Sequence, residues 1–173
     1  EKQIGPTLGQ EGVKKGVYAS IIALIAITLF MIVYYKISGL FTTLTIISCL
    51  ALLFALMSLI NTTLTLPGVI GIVLTIGMCV DANVLIFERI RENFKNNSEN
   101  PKSEGFNAAY VTILDSNLTT LFAAVFLFAF GFGPIRGFSI SLIIGIMSSL
   151  IVTYIILKLF INATPERLLG LQK

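Results

Sequence analysis

The sequence predicts an all-α fold, a polytopic membrane helical bundle of five transmembrane helices. Of its 173 residues 55% are hydrophobic and only 12% are charged, which is unlike an ordinary water-soluble domain. The hydrophobic residues form long, almost uncharged runs that are separated by short polar connections. A run of about 20 apolar residues spans a hydrocarbon core, and in lipid a helix satisfies its own backbone hydrogen bonds. Each long run is therefore predicted to be a membrane-spanning helix.

The predicted elements follow one another with little chain between them. Neighbouring spans should pack as antiparallel pairs because their connections are short. We divide the chain into an external N-terminal segment (1–16), a transmembrane domain (17–161) and a cytoplasmic C-terminal tail (162–173). The one substantial polar connection is a cytoplasmic loop at 88–107. The predicted spans are 17–35, 37–60, 69–87, 111–132 and 138–161.

The polar loop carries a helix signal of its own. Asn100 can cap a helix that has Pro101 at its first position, and apolar residues then recur at helical spacing. Such a helix could lie on the cytoplasmic surface of the membrane, or it could continue straight into the fourth span. We expect a short cytoplasmic interfacial helix. The apolar positions are Phe106, Ala109, Tyr110 and Ile113.

The positive residues predict the orientation in the membrane. Of the 12 Lys and Arg residues, eight lie on the side of the polar loop and the tail, and four lie on the other side. Lys and Arg near span ends are retained in the cytoplasm, so the N-terminus should be external and the C-terminus cytoplasmic. An external N-terminus at Glu1 leads us to expect a further span and an external region before it.

Composition also excludes several classes of function. The sequence has no His, and the two cysteines, Cys49 and Cys79, both lie inside predicted spans. We therefore expect no metal site, no disulfide framework and no enzymatic centre that depends on histidine. The basic residues are scattered, so nothing indicates nucleic-acid binding. No cofactor is expected.

One acidic residue lies deep in a predicted span. Asp81 is twelve residues after Val69, within a few ångströms of the middle of the third span. A charged Asp at a helix centre costs about 2.5 to 3.5 kcal/mol on insertion scales, so such residues usually face a protein interior or a wet cavity and serve function. In lipid the neutral acid costs less than the carboxylate, which makes Asp81 a candidate proton carrier. The alternative is a helix-to-helix hydrogen bond.

Other polar residues of the third and fourth spans could support Asp81. Asn83 lies at nearly the same depth, and Asp115 is expected at or near the membrane surface. Hydroxyl and amide groups near a carboxylate suit a hydrogen-bond relay or the lining of a wet cavity. Packing and backbone hydrogen bonding are an equal alternative. The remaining candidates are Asn117, Thr119 and Thr120.

Two spans carry faces of small residues, which allow helix backbones to approach closely. The third span has Gly71 and Gly77, and the fifth has small residues at every fourth position. The sequence leaves open whether the partner helices belong to this chain or to another. The fifth-span residues are Gly137, Ser141, Gly145 and Ser149.

Four segments of the sequence resemble a known family. The run TIGMCVDANVLIFERIRE at 75–92 is similar to the signature of the SecD branch of the SecD/SecF family, within the RND transporter superfamily. The agreement extends over essentially the whole chain. The other segments are IGPTLG at 4–9, DSNLTT at 115–120 and GFGPIRGF at 131–138.

The resemblance implies half of an RND-type transporter in the bacterial plasma (inner) membrane. Such a half pairs with SecF, assists the SecYEG channel and draws exported, unfolded polypeptides outward with energy from the proton gradient. The proton is then the coupling ion, and the deep Asp of the motif, here Asp81, belongs to its path. Family members have six spans and a large external domain after the first, whereas this sequence has five spans. Two alternatives stay open: a non-titrating scaffold of the translocase, and half of a small-molecule RND exporter.

Overall fold

The computed structural model describes the backbone of residues 6–62 and 64–163 and the side chains of 11–62 and 64–161. Within these ranges the chain forms five α-helices and no strand, and all five helices are long and apolar enough to cross a membrane. The predicted five-span, all-α fold is thus confirmed. The start of the predicted N-terminal segment and residues 164–173 of the predicted tail lie outside the described residues. The helices are α1 (Pro6–Tyr35), α2 (Ile37–Leu59), α3 (Leu66–Lys95), α4 (Pro101–Phe130) and α5 (Pro134–Ala163).

Each connection between helices contains, among the described residues, a residue with a positive φ at which the chain turns. These residues are Lys36 (φ 50°), Asn61 (φ 54°), Asn97 (φ 53°) and Gly133 (φ 54°). Asn and Gly adopt this conformation more readily than other residues, which agrees with three of the four positions. Proline stands in the first turn of α3, α4 and α5, where its missing N–H is not needed.

The helices α3 and α5 form the centre of the bundle. Helix α3 packs against all four other helices, and α5 packs against α2, α3 and α4. Helix α1 contacts only α2 and α3 and lies at the edge. Different sides of α3 therefore pack against different helices.

The segment 88–107 differs from the predicted polar loop. Helix α3 continues to Lys95 and α4 already begins at Pro101, so no separate interfacial helix forms. The reason is close packing between the two helices: a Cβ on Gly105 would lie 2.7 Å from Cα of Ile90. Phe106 is buried beside Ile90, and together they extend the apolar core beyond the predicted spans. This contact packs the start of α4 against the end of α3. The predicted interfacial helix and the fourth span are therefore one continuous helix.

The small-residue faces of α3 and α5 pack against each other. A Cβ on Gly71 would overlap the hydroxyl of Ser141, and a Cβ on Gly145 would overlap the hydroxyl of Thr75. Gly137 lies against Thr65, where an added Cβ would be 2.6 Å from the hydroxyl oxygen. The partner of each face is therefore inside this chain. Ser141 and Ser149 are buried in the same interface.

Gly77 does not take part in this packing. A Cβ added to Gly77 would have no described heavy atom within 4 Å, and the residue is exposed. The expected close approach of a helix at this position is not made within the described part of the chain. Gly77 lies one turn before Asp81 on the outer surface of α3.

Candidate functional site

Asp81 lies midway along α3, on the side of the helix that faces α4. Its side chain is exposed, whereas the adjacent residues Ala82 and Asn83 are buried. The hydrophobic runs on both sides of Asp81 place it far from either end of the helix. A carboxyl group thus opens onto the surface of the bundle near the middle of a predicted span.

A polar groove between α3 and α4 contains this carboxyl group. Its volume is about 230 Å³, enough for several water molecules. Helix α3 supplies Asp81 and apolar neighbours, and α4 supplies two hydroxyl groups and an amide. The polar α4 residues are Ser116, Asn117 and Thr120.

The three polar α4 side chains that line the groove all donate hydrogen bonds to their own helix. The Ser116 hydroxyl donates to the Ile113 carbonyl (3.1 Å), and the Asn117 amide donates to the same carbonyl (2.8 Å). The Thr120 hydroxyl donates to the Ser116 carbonyl (3.3 Å). Both hydroxyl hydrogens are therefore used within α4. The hydroxyl oxygens remain available to the groove as hydrogen-bond acceptors.

This arrangement suits a carboxyl group that changes its protonation state. A protonated carboxyl can donate to a hydroxyl oxygen, whereas a carboxylate only accepts. Ser and Thr hydroxyls rotate, so they can turn from the backbone carbonyl to a carboxylate when the proton leaves. The groove thus contains hydroxyl groups that can act as hydrogen-bond donors or acceptors by rotation.

The other predicted residues are distributed over three places. Asn117 and Thr120 line the groove, as just described, but Asn83 faces the opposite side of α3 and is fully buried. The Asn83 amide donates to the Cys79 carbonyl at 2.6 Å, while its Oδ1 has no hydrogen-bond partner among the described residues. Thr119 is exposed outside the groove and donates to the Ser116 carbonyl at 2.7 Å.

Asp115 is predicted to lie at or near the membrane surface, and the structure gives its place within the bundle. It lies midway along α4, directly before the groove residue Ser116, and its side chain is exposed. Because Ser116 lines the groove together with Asp81, Asp115 lies at a level along the helices close to that of Asp81. Asp115 itself is not among the residues that line the groove.

Ser116 is a groove residue that sequence reasoning did not single out. It lies one residue before Asn117 and four before Thr120, so helical spacing could have identified it. Its residue type alone gave no signal, because serine is common on the packing faces of membrane helices.

No cation within the described ranges pairs with Asp81. The ion pairs there are Arg89 with Glu92 (2.9 Å) and Arg91 with Glu88 (3.6 Å), both at the end of α3. Glu88 also accepts a hydrogen bond from the Tyr35 hydroxyl (3.0 Å). Among the described residues, no group of three or more Cys, Asp or Glu side chains could hold a metal ion.

Comparison with known proteins gives a consistent set of relatives. The model of the family described as "Protein export membrane protein SecD/SecF, C-terminal" matches residues 1–164. The chain is 48% identical to the protein translocase subunit SecD of Calditerrivibrio nitroreducens over 86% of its length. It is also 48% identical to SecD of Rickettsia prowazekii over 94% of its length.

A solved structure has the same fold. The crystal structure of SecDF, a translocon-associated membrane protein from Thermus thermophilus, superimposes with a TM-score of 0.85 at 38% identity over 92% of this chain. The chain spans 29% and 32% of the two SecD relatives and 23% of the SecDF chain. The match thus concerns one membrane region of longer proteins.

Proposed function

The chain belongs to the SecD/SecF family of protein-export membrane proteins, and from that premise we propose that it is the proton-coupling membrane part of a protein translocase subunit. In this proposal the subunit pairs with SecF and works with the SecYEG channel in the bacterial plasma membrane. The driving force is the proton gradient, and Asp81 carries the proton. The N-terminus is external and the C-terminus cytoplasmic, as the distribution of Lys and Arg predicts.

The observation that carries the proposal is the exposed carboxyl group of Asp81 in a polar groove midway along α3. A charged carboxylate in direct contact with lipid at this depth costs several kcal/mol. The groove and its surface are therefore expected to be covered by another protein surface. A SecF-type bundle seated on α3 and α4 would enclose the groove and could supply the cation that this part of the chain lacks.

The proposed cycle has two states of the groove. When Asp81 is protonated, it donates to a hydroxyl oxygen of α4, and the neutral site packs against the covering bundle. When the proton leaves, the hydroxyls of Ser116 and Thr120 turn toward the carboxylate, and a cation of the partner is drawn in. Moving one proton across 100 mV releases about 2.3 kcal/mol, which shifts a two-state equilibrium about fiftyfold. One proton is thus enough to change which of two packings dominates.

The scaffold alternative receives less support than before. It rested on the small-residue faces of the third and fifth spans, but Gly71 and Gly145 contact residues of this same chain. Those two positions are thus occupied within this chain, whereas Gly77 of the third span has no neighbour among the described residues. Likewise, no specific feature of the groove favours a small-molecule exporter.

The proposal is tested by Asp81→Asn in the complete subunit, assembled with SecF and SecYEG in membrane vesicles. The matched control is Glu104→Gln, which also replaces a carboxylate by an amide but is exposed in the first turn of α4. We expect Asp81→Asn to abolish the part of export that depends on the proton gradient, with assembly intact. Glu104→Gln should export normally.

A scaffold would give the opposite pattern. It would tolerate Asp81→Asn. Gly145→Leu does not separate the two roles, because it would disrupt the packing of α5 against Thr75 of this same chain. If proton-dependent export by Asp81→Asn equals that of the unaltered subunit, the proton-carrier role is refuted.

A further inference from the structure

A second cavity lies at the other end of the helices from the extended α3–α4 pair. It is a cleft of about 140 Å³ between α1, α2 and α3, near the start of α1 and the connection from α2 to α3. Its walls are almost entirely hydrocarbon. Ser20 is the one polar side chain among the lining residues, and its hydroxyl donates to the Gly16 carbonyl at 2.7 Å.

The cleft is closed at its base and open at its side. Val69 and Ile72 of α3 form the base and are 4% and 6% exposed. At the rim, Ile21 of α1 and Phe54 of α2 are 48% and 50% exposed. The opening therefore faces outward from the bundle, where a membrane places acyl chains. With no free polar group to hold water, the cleft is better filled by hydrocarbon.

A lysine precedes the cleft by about two turns of α1. Lys14 precedes the rim residue Ile21 by seven residues, and residues seven apart share nearly the same helix face. Its side chain is exposed, and within the described ranges it makes no ion pair, including with Glu11 one turn earlier. Lys15, although adjacent, lies above Ile22, which is exposed outside the cleft.

We propose that this cleft binds one acyl chain of an anionic phospholipid, such as phosphatidylglycerol, with the lipid phosphate held by Lys14. The apolar walls select hydrocarbon, and the ammonium group selects a negative headgroup. The site is separate from the Asp81 groove because it lies on the α1 side of α3. It is independent of the proton-carrier proposal.

The absence of tryptophan from the sequence makes a direct test practicable. Phe54→Trp places one fluorophore at the rim of the cleft, and Phe126→Trp places one on the exposed face of α4 at a similar distance from its helix end. Each protein is reconstituted in phosphatidylcholine vesicles that contain equal mole fractions of brominated phosphatidylglycerol or brominated phosphatidylcholine. Quenching of tryptophan then reports which lipid lies against each position.

We expect the Phe54→Trp reporter to prefer brominated phosphatidylglycerol about fivefold, as about 1 kcal/mol for one cation near an anionic lipid implies. The Phe126→Trp reporter should show no preference. In the Phe54→Trp background, Lys14→Gln should remove the preference and Lys15→Gln should largely keep it. Equal quenching by both lipids at the cleft overturns the proposal, as do equal effects of the two lysine substitutions.

Discussion

Asp81 differs from the other polar residues of α3 in what surrounds it. Asn83, two residues further on, donates an amide N–H to the Cys79 carbonyl and is fully buried inside the bundle. Asp81 instead faces a groove whose hydroxyl groups have free acceptor oxygens. A buried Asn fixes one packing, whereas a carboxyl beside rotatable hydroxyls can exist in two forms. At the scale of single residues, the side chains of α3 that can exchange hydrogen-bond partners thus lie on its α4 side.

The hydroxyl of Thr120 is predicted to form a hydrogen bond with Asp81 in the proposed cycle. Thr120→Val keeps the shape of the side chain and removes the acceptor, so proton-dependent export should fall about fivefold, the equivalent of one hydrogen bond of about 1 kcal/mol. The control is Thr112→Val, because Thr112 is exposed outside the groove and bonds only the Ala108 carbonyl at 3.1 Å. Export is measured in vesicles at a fixed gradient. Equal activity of the two variants would mean that the hydroxyl has no part in coupling.

At the scale of helices, hydropathy predicted the five spans, because a span depends only on a run of apolar residues along the chain. It could not predict which way each helix is turned. The rotation of α4 is set by contacts such as Gly105 with Ile90, and it decides that Thr120 enters the groove while Thr119 does not. Rotation and register arise from packing between helices, which a single sequence pattern does not record.

The interface between α3 and α5 should be the part of the bundle most sensitive to added volume. Gly145→Ala puts a Cβ into the hydroxyl of Thr75, and overpacking of this kind costs about 1 to 3 kcal/mol. Gly77→Ala adds the same methyl group in open space on α3, where the change should be neutral or stabilising by about 0.5 to 1 kcal/mol. The two variants are compared by their free energies of unfolding, measured in detergent micelles. A loss of stability in Gly77→Ala as large as that in Gly145→Ala would contradict the packing described.

At the scale of the whole molecule, the polar and apolar surfaces of the bundle are unevenly distributed. The outer face of α1 is apolar, with Ile25 and Val33 62% and 73% exposed, as suits contact with lipid. The α3–α4 surface instead exposes Asp81 and the bare backbone at Gly77. A carboxyl group midway along a spanning helix disfavours lipid, and a glycine without neighbours permits close approach of another helix. The bundle thus has one surface suited to lipid and one suited to a protein partner.

This division predicts that a bulky residue at position 77 will block assembly without harming the fold of the chain itself. Gly77→Leu has room for its side chain within the described part of the chain, so the isolated subunit should keep its helicity and stability. A helix of the partner that approaches Asp81 would meet the added carbons, and co-purification with SecF from membranes should fall at least tenfold. Ala26→Leu is the matched control, because it adds the same carbons on the exposed face of α1. If Gly77→Leu recovers SecF as efficiently as Ala26→Leu, the partner does not cover the Asp81 surface, and the groove must be shielded in another way.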